Sequence, residues 1–261
     1  PPIEAHLLTA VFVAVRSFLK AYIGTNPTWV RQEKSEADRI SLDWATIRNT
    51  FSGTLASLPL TLETTAEAAR FELASTISLP RFATPPTIAL TSPPYCTRID
   101  YAVATRPELA VLGIPLDVQH ELRRSMLGTT TVPGSIAVSP ASIGEVASSA
   151  LDKVGNHSSR ASKSYYWKWL AQSFVGYAAS LQQVSAVMAD DALLALVVQD
   201  SFYKEIHIDL PAISIELALT NGWKLAHGYD FDVPKTMASI NSRSRKYRYT
   251  FNATEKVLVF S

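Results

Sequence analysis

The sequence is poor in cysteine, in charge and in glycine-rich segments. Its 261 residues include one cysteine, Cys96, which excludes a disulfide framework and a cysteine-rich zinc site. Only 18% of the residues are charged, and 24 basic residues nearly balance 23 acidic ones, so any contact with a polyanion must be local. Ten glycines occur, and no two of them form a Gly-x-Gly sequence. A glycine-rich phosphate cradle is therefore missing from this chain.

Long apolar runs are also missing. The most apolar N-terminal stretch, residues 7–15, is preceded by Glu4 and followed by Arg16 and Lys20. Such a stretch is too short and too interrupted for a membrane span, and its flanks do not suit a signal peptide. We expect no membrane association. The single cysteine suits a reducing compartment, and the cytoplasm is the expected location.

The chain has enough apolar residues, 47%, to bury a full core. Residues 3–23 carry apolar side chains at three- and four-residue steps, which predicts an amphipathic helix. We predict a mainly helical region over 1–80. From residue 81, short apolar runs alternate with helical periods, as is typical of α/β units around a buried sheet. Within this second region, 81–261, the segment 113–160 is predicted to be a long insertion with some helix, because it is rich in Ser, Thr, Gly and Pro.

A strand followed by two prolines stands out in the second region. Residues 87–91 form a strand candidate that runs into Ser92-Pro93-Pro94-Tyr95, here called the SPPY motif. The prolines exclude both a helix and further ladder pairing, so the strand must end there. Further predicted elements are a long helix over 161–188, a central strand over 193–198 ending at Gln199-Asp200-Ser201, a helix capped by Asp209, and an antiparallel strand pair over 223–229 and 257–260.

The SPPY motif resembles the target-base motif of DNA methyltransferases that modify exocyclic amino groups, written (Asp/Asn/Ser)-Pro-Pro-(Tyr/Phe). Tyr101 fits a spacing found in many such proteins, and the downstream order of elements also matches, so the resemblance spans roughly residues 80–261. It implies a mixed, mainly parallel sheet of the S-adenosylmethionine-dependent methyltransferase type, with the motif at the carboxyl end of a central strand. It also implies S-adenosyl-L-methionine as the methyl donor and DNA as the substrate, as in restriction-modification.

The chemistry of an exocyclic amine gives each motif residue a role. Its lone pair is delocalised into the ring, so a catalyst needs acceptors for the N–H groups. The Ser92 hydroxyl and the Pro93 carbonyl can accept these hydrogen bonds, and Pro94 helps to hold the backbone rigid. Tyr95 offers a face for a base that has left its duplex stack, and such stacking contributes about 1–3 kcal/mol. We therefore predict that all four motif residues are catalytic, although an ordinary surface turn is the alternative.

Other substrate-binding candidates lie outside the motif. Tyr101 and the pair Asp200 and Ser201 are predicted to contact substrate, although Asp200-Ser201 can equally be the plain end of a strand. Phosphate contacts are predicted for a basic cluster with interleaved tyrosines, which is otherwise a solvated hairpin: Arg243, Arg245, Lys246 and Arg248. The histidines have no metal-ligand spacing, so no metal is expected. In the methyltransferases that the motif resembles, serine at the first motif position is linked more often to cytosine N4 than to adenine N6, so the resemblance favours cytosine N4.

One part of the family pattern is missing. A methyltransferase cofactor domain normally opens with a strand and a Phe-x-Gly-x-Gly loop, and this chain has neither that loop nor any Gly-x-Gly. We predict that a complementary subunit, or a segment outside this sequence, supplies the cofactor half and covers a sheet edge beside the motif. Two other interpretations stay open: a catalytically silent methyltransferase-like subunit, and an amino-methyltransferase acting on RNA or protein.

Overall fold

A computed structural model describes six segments of the chain, namely residues 2–23, 30–31, 34–59, 71–97, 99–233 and 253–261. The chain forms two compact units. The helical unit consists of residues 1–72 and 101–123, and the sheet unit consists of residues 73–100 and 124–261. This division differs from the predicted boundary at residue 80, because residues 101–123 join the N-terminal residues. Among the described helices, none is both long enough and apolar enough to cross a membrane.

The helical unit is built from α1 (Pro2–Phe18), α2 (Trp44–Ser57), α3 (Tyr101–Ala104), α4 (Arg106–Val111) and the start of α5 (Leu116–Ser125). A bidentate ion pair joins α1 to α4: Arg16 donates from Nε to Glu108 Oε1 (2.6 Å) and from Nη2 to Oε2 (2.7 Å). This hydrogen bonding with Glu108 raises the pKa of Arg16. The pair connects residues 92 positions apart, which explains why the sequence pattern did not assign residues 101–123 to this unit.

The sheet unit contains a four-stranded mixed sheet, which confirms the predicted α/β class. Its strands are β1 (Ile88–Thr91), β2 (Leu193–Gln199), β5 (Leu225–Val233) and β6 (Ala253–Phe260), in the order β1-β2-β6-β5. β1 pairs parallel to β2, whereas β6 pairs antiparallel to both β2 and β5. Two predictions were wrong for the described strands: the sheet is not mainly parallel, and β1 lies at an edge rather than in the centre. Sheet order depends on long-range pairing, which periodicity within one strand does not reveal.

One face of the sheet forms the core of this unit. Three side chains of β2 that point to this face, Leu194, Leu196 and Val198, are completely buried. α9 (Leu210–Thr220) packs against β2 and β6, and α7 (Glu145–Asn156) and α8 (Trp167–Val187) pack against α9. A π-helical turn over Ser162–Tyr166 leads into α8, and the short helix α6 (Pro140–Ile143) precedes α7.

The long helix and the capped helix appear as predicted. α8 buries Leu170, Phe174, Tyr177 and Leu181 along one apolar face. At the start of α9, the Asp209 carboxylate accepts a hydrogen bond from the Ala212 N–H (2.8 Å). α7 lies inside the predicted insertion 113–160, yet its side chains Ala147, Leu151 and Val154 are buried. The insertion therefore contains helix, as predicted, and this helix contributes to the core.

The opposite face of the sheet is apolar and largely open among the described residues. Ile88 and Leu90 on β1 are 68% and 72% exposed. The register sets Ile88 beside Leu193, which is 43% exposed, and continues this face across β6 to Tyr229 and Phe231 of β5. The described helices cover only one face of this sheet, so the other face is left as an apolar surface. Proteins usually bury such a surface against another layer.

Candidate functional site

The SPPY motif follows directly on β1, at the carboxyl end of that strand. Pro93 is buried, Pro94 and Tyr95 are half-buried, and Ser92 is exposed. Because β1 and β2 run parallel, their carboxyl ends meet at the same end of the sheet, where open α/β sheets bind ligands. The motif therefore lies at the same end of the sheet as Asp200 and Ser201, which follow β2.

A chain of hydrogen bonds connects the motif to the C-terminal strand. The Ser92 hydroxyl donates to Tyr95 Oη (3.3 Å), and Tyr95 Oη donates to Glu255 Oε1 (3.0 Å). Glu255 lies on β6 opposite Gln199 of β2, so the two links cross from β1 to the far side of β2. Sequence reasoning missed Glu255, because the predicted strand began at Val257 and 160 positions separate Glu255 from Tyr95.

Tyr95 has two kinds of neighbour. Its ring is half-buried and packs against the core cluster, while its hydroxyl joins the hydrogen-bond chain to Glu255. Core packing thus holds the ring of Tyr95, and the bond to Glu255 holds its hydroxyl. Its use as a stacking face for a base stays a prediction.

A loop over residues 126–131, here called the support loop, contacts the motif from the core side. Gly128 has φ +75°, and a Cβ at this position would lie 3.1 Å from the Cβ of Pro94. Thr130 Oγ1 donates to Asp100 Oδ2 (2.6 Å), and Tyr165 Oη donates to the Thr130 carbonyl (2.9 Å). Since Asp100 is only 2% exposed, this bond anchors the chain just after the motif.

The polar end of β2 contains two buried polar atoms without a hydrogen-bond partner among the described residues, Asp200 Oδ1 and Ser201 Oγ. The other Asp200 oxygen, Oδ2, lies 3.1 Å from His207 Nε2, within the hairpin of β3 (Ser201–Tyr203) and β4 (Ile206–Ile208). A buried polar group left unpaired costs about 1–3 kcal/mol. Such a cost at the carboxyl end of a sheet is typical of a ligand site, and Asp200 and Ser201 stay candidates for it.

Two further predictions concern residues outside the described part of the sheet unit. Tyr101 begins α3 in the helical unit, where its side chain is 39% exposed and burial raises its pKa. The basic cluster of Arg243, Arg245, Lys246 and Arg248 lies outside the described residues. The roles of Tyr101 and of this cluster stay predictions.

Neither a metal site nor a reactive thiol is found in the described segments. No group of three or more His, Cys, Asp or Glu side chains in these segments is arranged to hold a metal ion. Burial raises the pKa of the Cys96 thiol to about 12, so the thiol stays protonated at neutral pH and is a poor ligand and nucleophile.

An open cavity of about 490 Å³ is lined in part by the support loop. Its lining includes Thr76, Arg124, Gly128 and Gln172, and none of the motif residues. The cavity is therefore not part of the candidate site.

Comparisons with protein-family models, with curated proteins and with solved structures find no match for this chain. What the site can do therefore follows from its own residues. These are a rigid proline turn with one exposed hydroxyl, a tyrosine held by a carboxylate, and two unsatisfied polar atoms at the neighbouring strand end.

Proposed function

We propose that this chain is the target-base half of an S-adenosylmethionine-dependent DNA methyltransferase that modifies an exocyclic amino group in the cytoplasm. The observation that carries the proposal is the SPPY motif at the carboxyl end of a parallel strand, beside the polar end of β2. The order of the elements after the motif also supports it: a long helix, β2 ending at Gln199-Asp200-Ser201, a capped helix, and an antiparallel strand pair.

The motif geometry suits an amine substrate. Ser92 is exposed, so its Oγ is available to accept a hydrogen bond from an amino group, and we assign the carbonyl of the buried Pro93 as the second acceptor. Acceptors aimed at the N–H groups favour a more tetrahedral nitrogen, whose lone pair is a better nucleophile. Tyr95 lies next to these acceptors and provides an aromatic face for a flipped base.

This chain lacks the glycine turn that normally binds S-adenosylmethionine. The described segments contain no strand followed by a glycine turn, and no Gly-x-Gly occurs in the whole sequence. We assign the cofactor site to a complementary subunit or segment that carries the Gly-rich loop, and we derive the role of this chain from base binding only.

The free edge of β1 suits such a complementary half. Within the described residues, no strand pairs with the side of β1 that faces away from β2. β1 also carries Ile88 and Leu90, both mostly exposed on the open face of the sheet, and it leads into the motif. A strand added there would satisfy the backbone groups of the edge and bury apolar area next to the target-base site.

The test is to express the chain together with a polypeptide that carries a Phe-x-Gly-x-Gly loop, taken from the neighbouring reading frame, and to digest the cellular DNA to nucleosides. We expect N4-methylcytosine, because serine at the first motif position favours cytosine. Tyr95→Ala should lower the yield, since a stacking contact of about 1–3 kcal/mol is lost. DNA without any methylated amino base would overturn the proposal, and methylated RNA or protein in its place would favour the alternative substrates.

A further inference from the structure

Glu255 sets the direction of the two hydrogen bonds that connect Ser92, Tyr95 and Glu255. Glu255, as a carboxylate, has acceptor oxygens and no proton to donate. The Tyr95 hydroxyl lies 3.0 Å from Glu255 Oε1 and must therefore donate to it. Because its only proton is used in this bond, Tyr95 Oη can only accept at its contact with Ser92. The Ser92 hydroxyl, 3.3 Å away, is then the donor.

This direction determines what Ser92 offers to the outside. A serine hydroxyl has one proton and two lone pairs, and here the proton points back towards Tyr95. Since Ser92 is exposed while Tyr95 and Glu255 are half-buried, the lone pairs of Ser92 Oγ are the end of the chain that solvent and ligands meet. Ser92 thus presents an acceptor.

We propose that Glu255 is a positioning residue that fixes the direction of the hydrogen-bond chain and thereby makes Ser92 an acceptor specific for an amino group. The proposal deepens the function proposed above and rests on it. A cytosine or adenine presents N–H donors at the position that is methylated, whereas uracil or thymine presents a carbonyl oxygen there. With Glu255 in place, Ser92 favours the amino group and disfavours the carbonyl, so Glu255 contributes to base selection without touching the base.

The test compares the binding of fluorescent oligo(dC) and oligo(dU) strands, which differ at the ring position that carries the amine or the carbonyl. The wild-type chain should bind oligo(dC) about three- to tenfold more tightly, the factor expected for one hydrogen bond gained or lost. Glu255→Gln should reduce this ratio, because the glutamine amide can also donate and so leaves the direction undefined. Tyr95→Phe should reduce it as well, because it removes the middle link. The ratio should stay above one, since the Pro93 carbonyl still accepts.

Asp230→Asn is the matched control. It makes the same carboxylate-to-amide change on the neighbouring strand, at a residue that bonds to Lys256 (2.6 Å) rather than to the motif. The control should keep the wild-type ratio. Urea unfolding of each variant separates a loss of fold from a loss of selectivity, because a change in stability alone does not alter the ratio between two ligands.

The outcomes separate the two proposals. If the wild-type chain prefers oligo(dC) while Glu255→Gln and Tyr95→Phe keep the full preference, Glu255 does not set the direction and only this inference is wrong. If the wild-type chain does not discriminate at all, the amino-base site itself is wrong, and the role of Glu255 is lost with it. A preference that both variants weaken and the control retains supports the inference.

Discussion

Gly128 is the residue at which backbone conformation and motif geometry depend on each other. Its φ of +75° belongs to the left-handed region, and its missing Cβ leaves room for Pro94. We expect Gly128→Ala to lower the free energy of unfolding by about 1–2 kcal/mol for the left-handed conformation alone, and by more because the new methyl group meets Pro94. Urea unfolding measures this difference.

Gly222→Ala provides the control for this prediction. Gly222 also has a positive φ, +90°, and lies in the same unit, but no atom lies within 4 Å of the position of its Cβ. It should lose only the conformational part of the free energy. Equal losses in the two variants would mean that the support loop does not hold Pro94 in place.

At the scale of helices and strands, local signals were sufficient wherever a few neighbouring residues determine the structure. α9 begins at the cap formed by Asp209, as the sequence predicted, and it has Pro211 in its first turn and Gly222 with positive φ after its end. These features act over one helical turn, so their pattern is visible in the sequence. The buried stripe of α8 was predictable for the same reason, since its period lies within one helix.

The remaining features depend on residues that are distant in the sequence. The position of β1 at the sheet edge depends on pairing with β2, about a hundred residues later, and no local pattern encodes it. Glu255 belongs to the site because it accepts a hydrogen bond from Tyr95, which lies 160 positions away in the sequence. Gly128 lies in a segment predicted only as an insertion, and its role became visible through its contact with Pro94.

The exposed edge strand leads to a prediction about assembly. Leu90→Lys should leave the stability of the chain within about 0.5 kcal/mol, because Leu90 is 72% exposed. The same change should abolish methylation in the co-expression experiment, because a lysine on β1 blocks the addition of a strand. Co-purification of the two polypeptides and nucleoside analysis provide the two readouts.

Leu225→Lys is the control on the opposite edge of the sheet. Leu225 lies on β5 and is 42% exposed, far in strand order from the motif. The Leu225→Lys variant should still form the complex and should still support methylation. If Leu225→Lys prevents assembly and Leu90→Lys does not, the complementary half binds at β5, and our assignment to the β1 edge is wrong.

For the whole molecule, the missing glycine turn predicts an incomplete enzyme. The purified chain should show no tight binding of S-adenosylmethionine, because the carboxylate and amine of its methionine part normally meet the backbone of such a turn. Calorimetric titration of the chain, first alone and then with the complementary polypeptide, measures this. Heat release with micromolar affinity from the chain alone would reveal a cofactor site within it.

The link between Tyr95 and Glu255 also has a consequence for biosynthesis. A ribosome that adds about 5–20 residues per second needs about 10–30 s to make the 160 positions that separate the two residues. Until β6 is made, the motif lacks the strand that holds its tyrosine, and until β2 is made, β1 lacks the strand it pairs with among the described residues. The nascent chain therefore exposes Ile88 and Leu90 on an unpaired strand before β2 is made, and transiently exposed apolar strands of this kind are prone to aggregation.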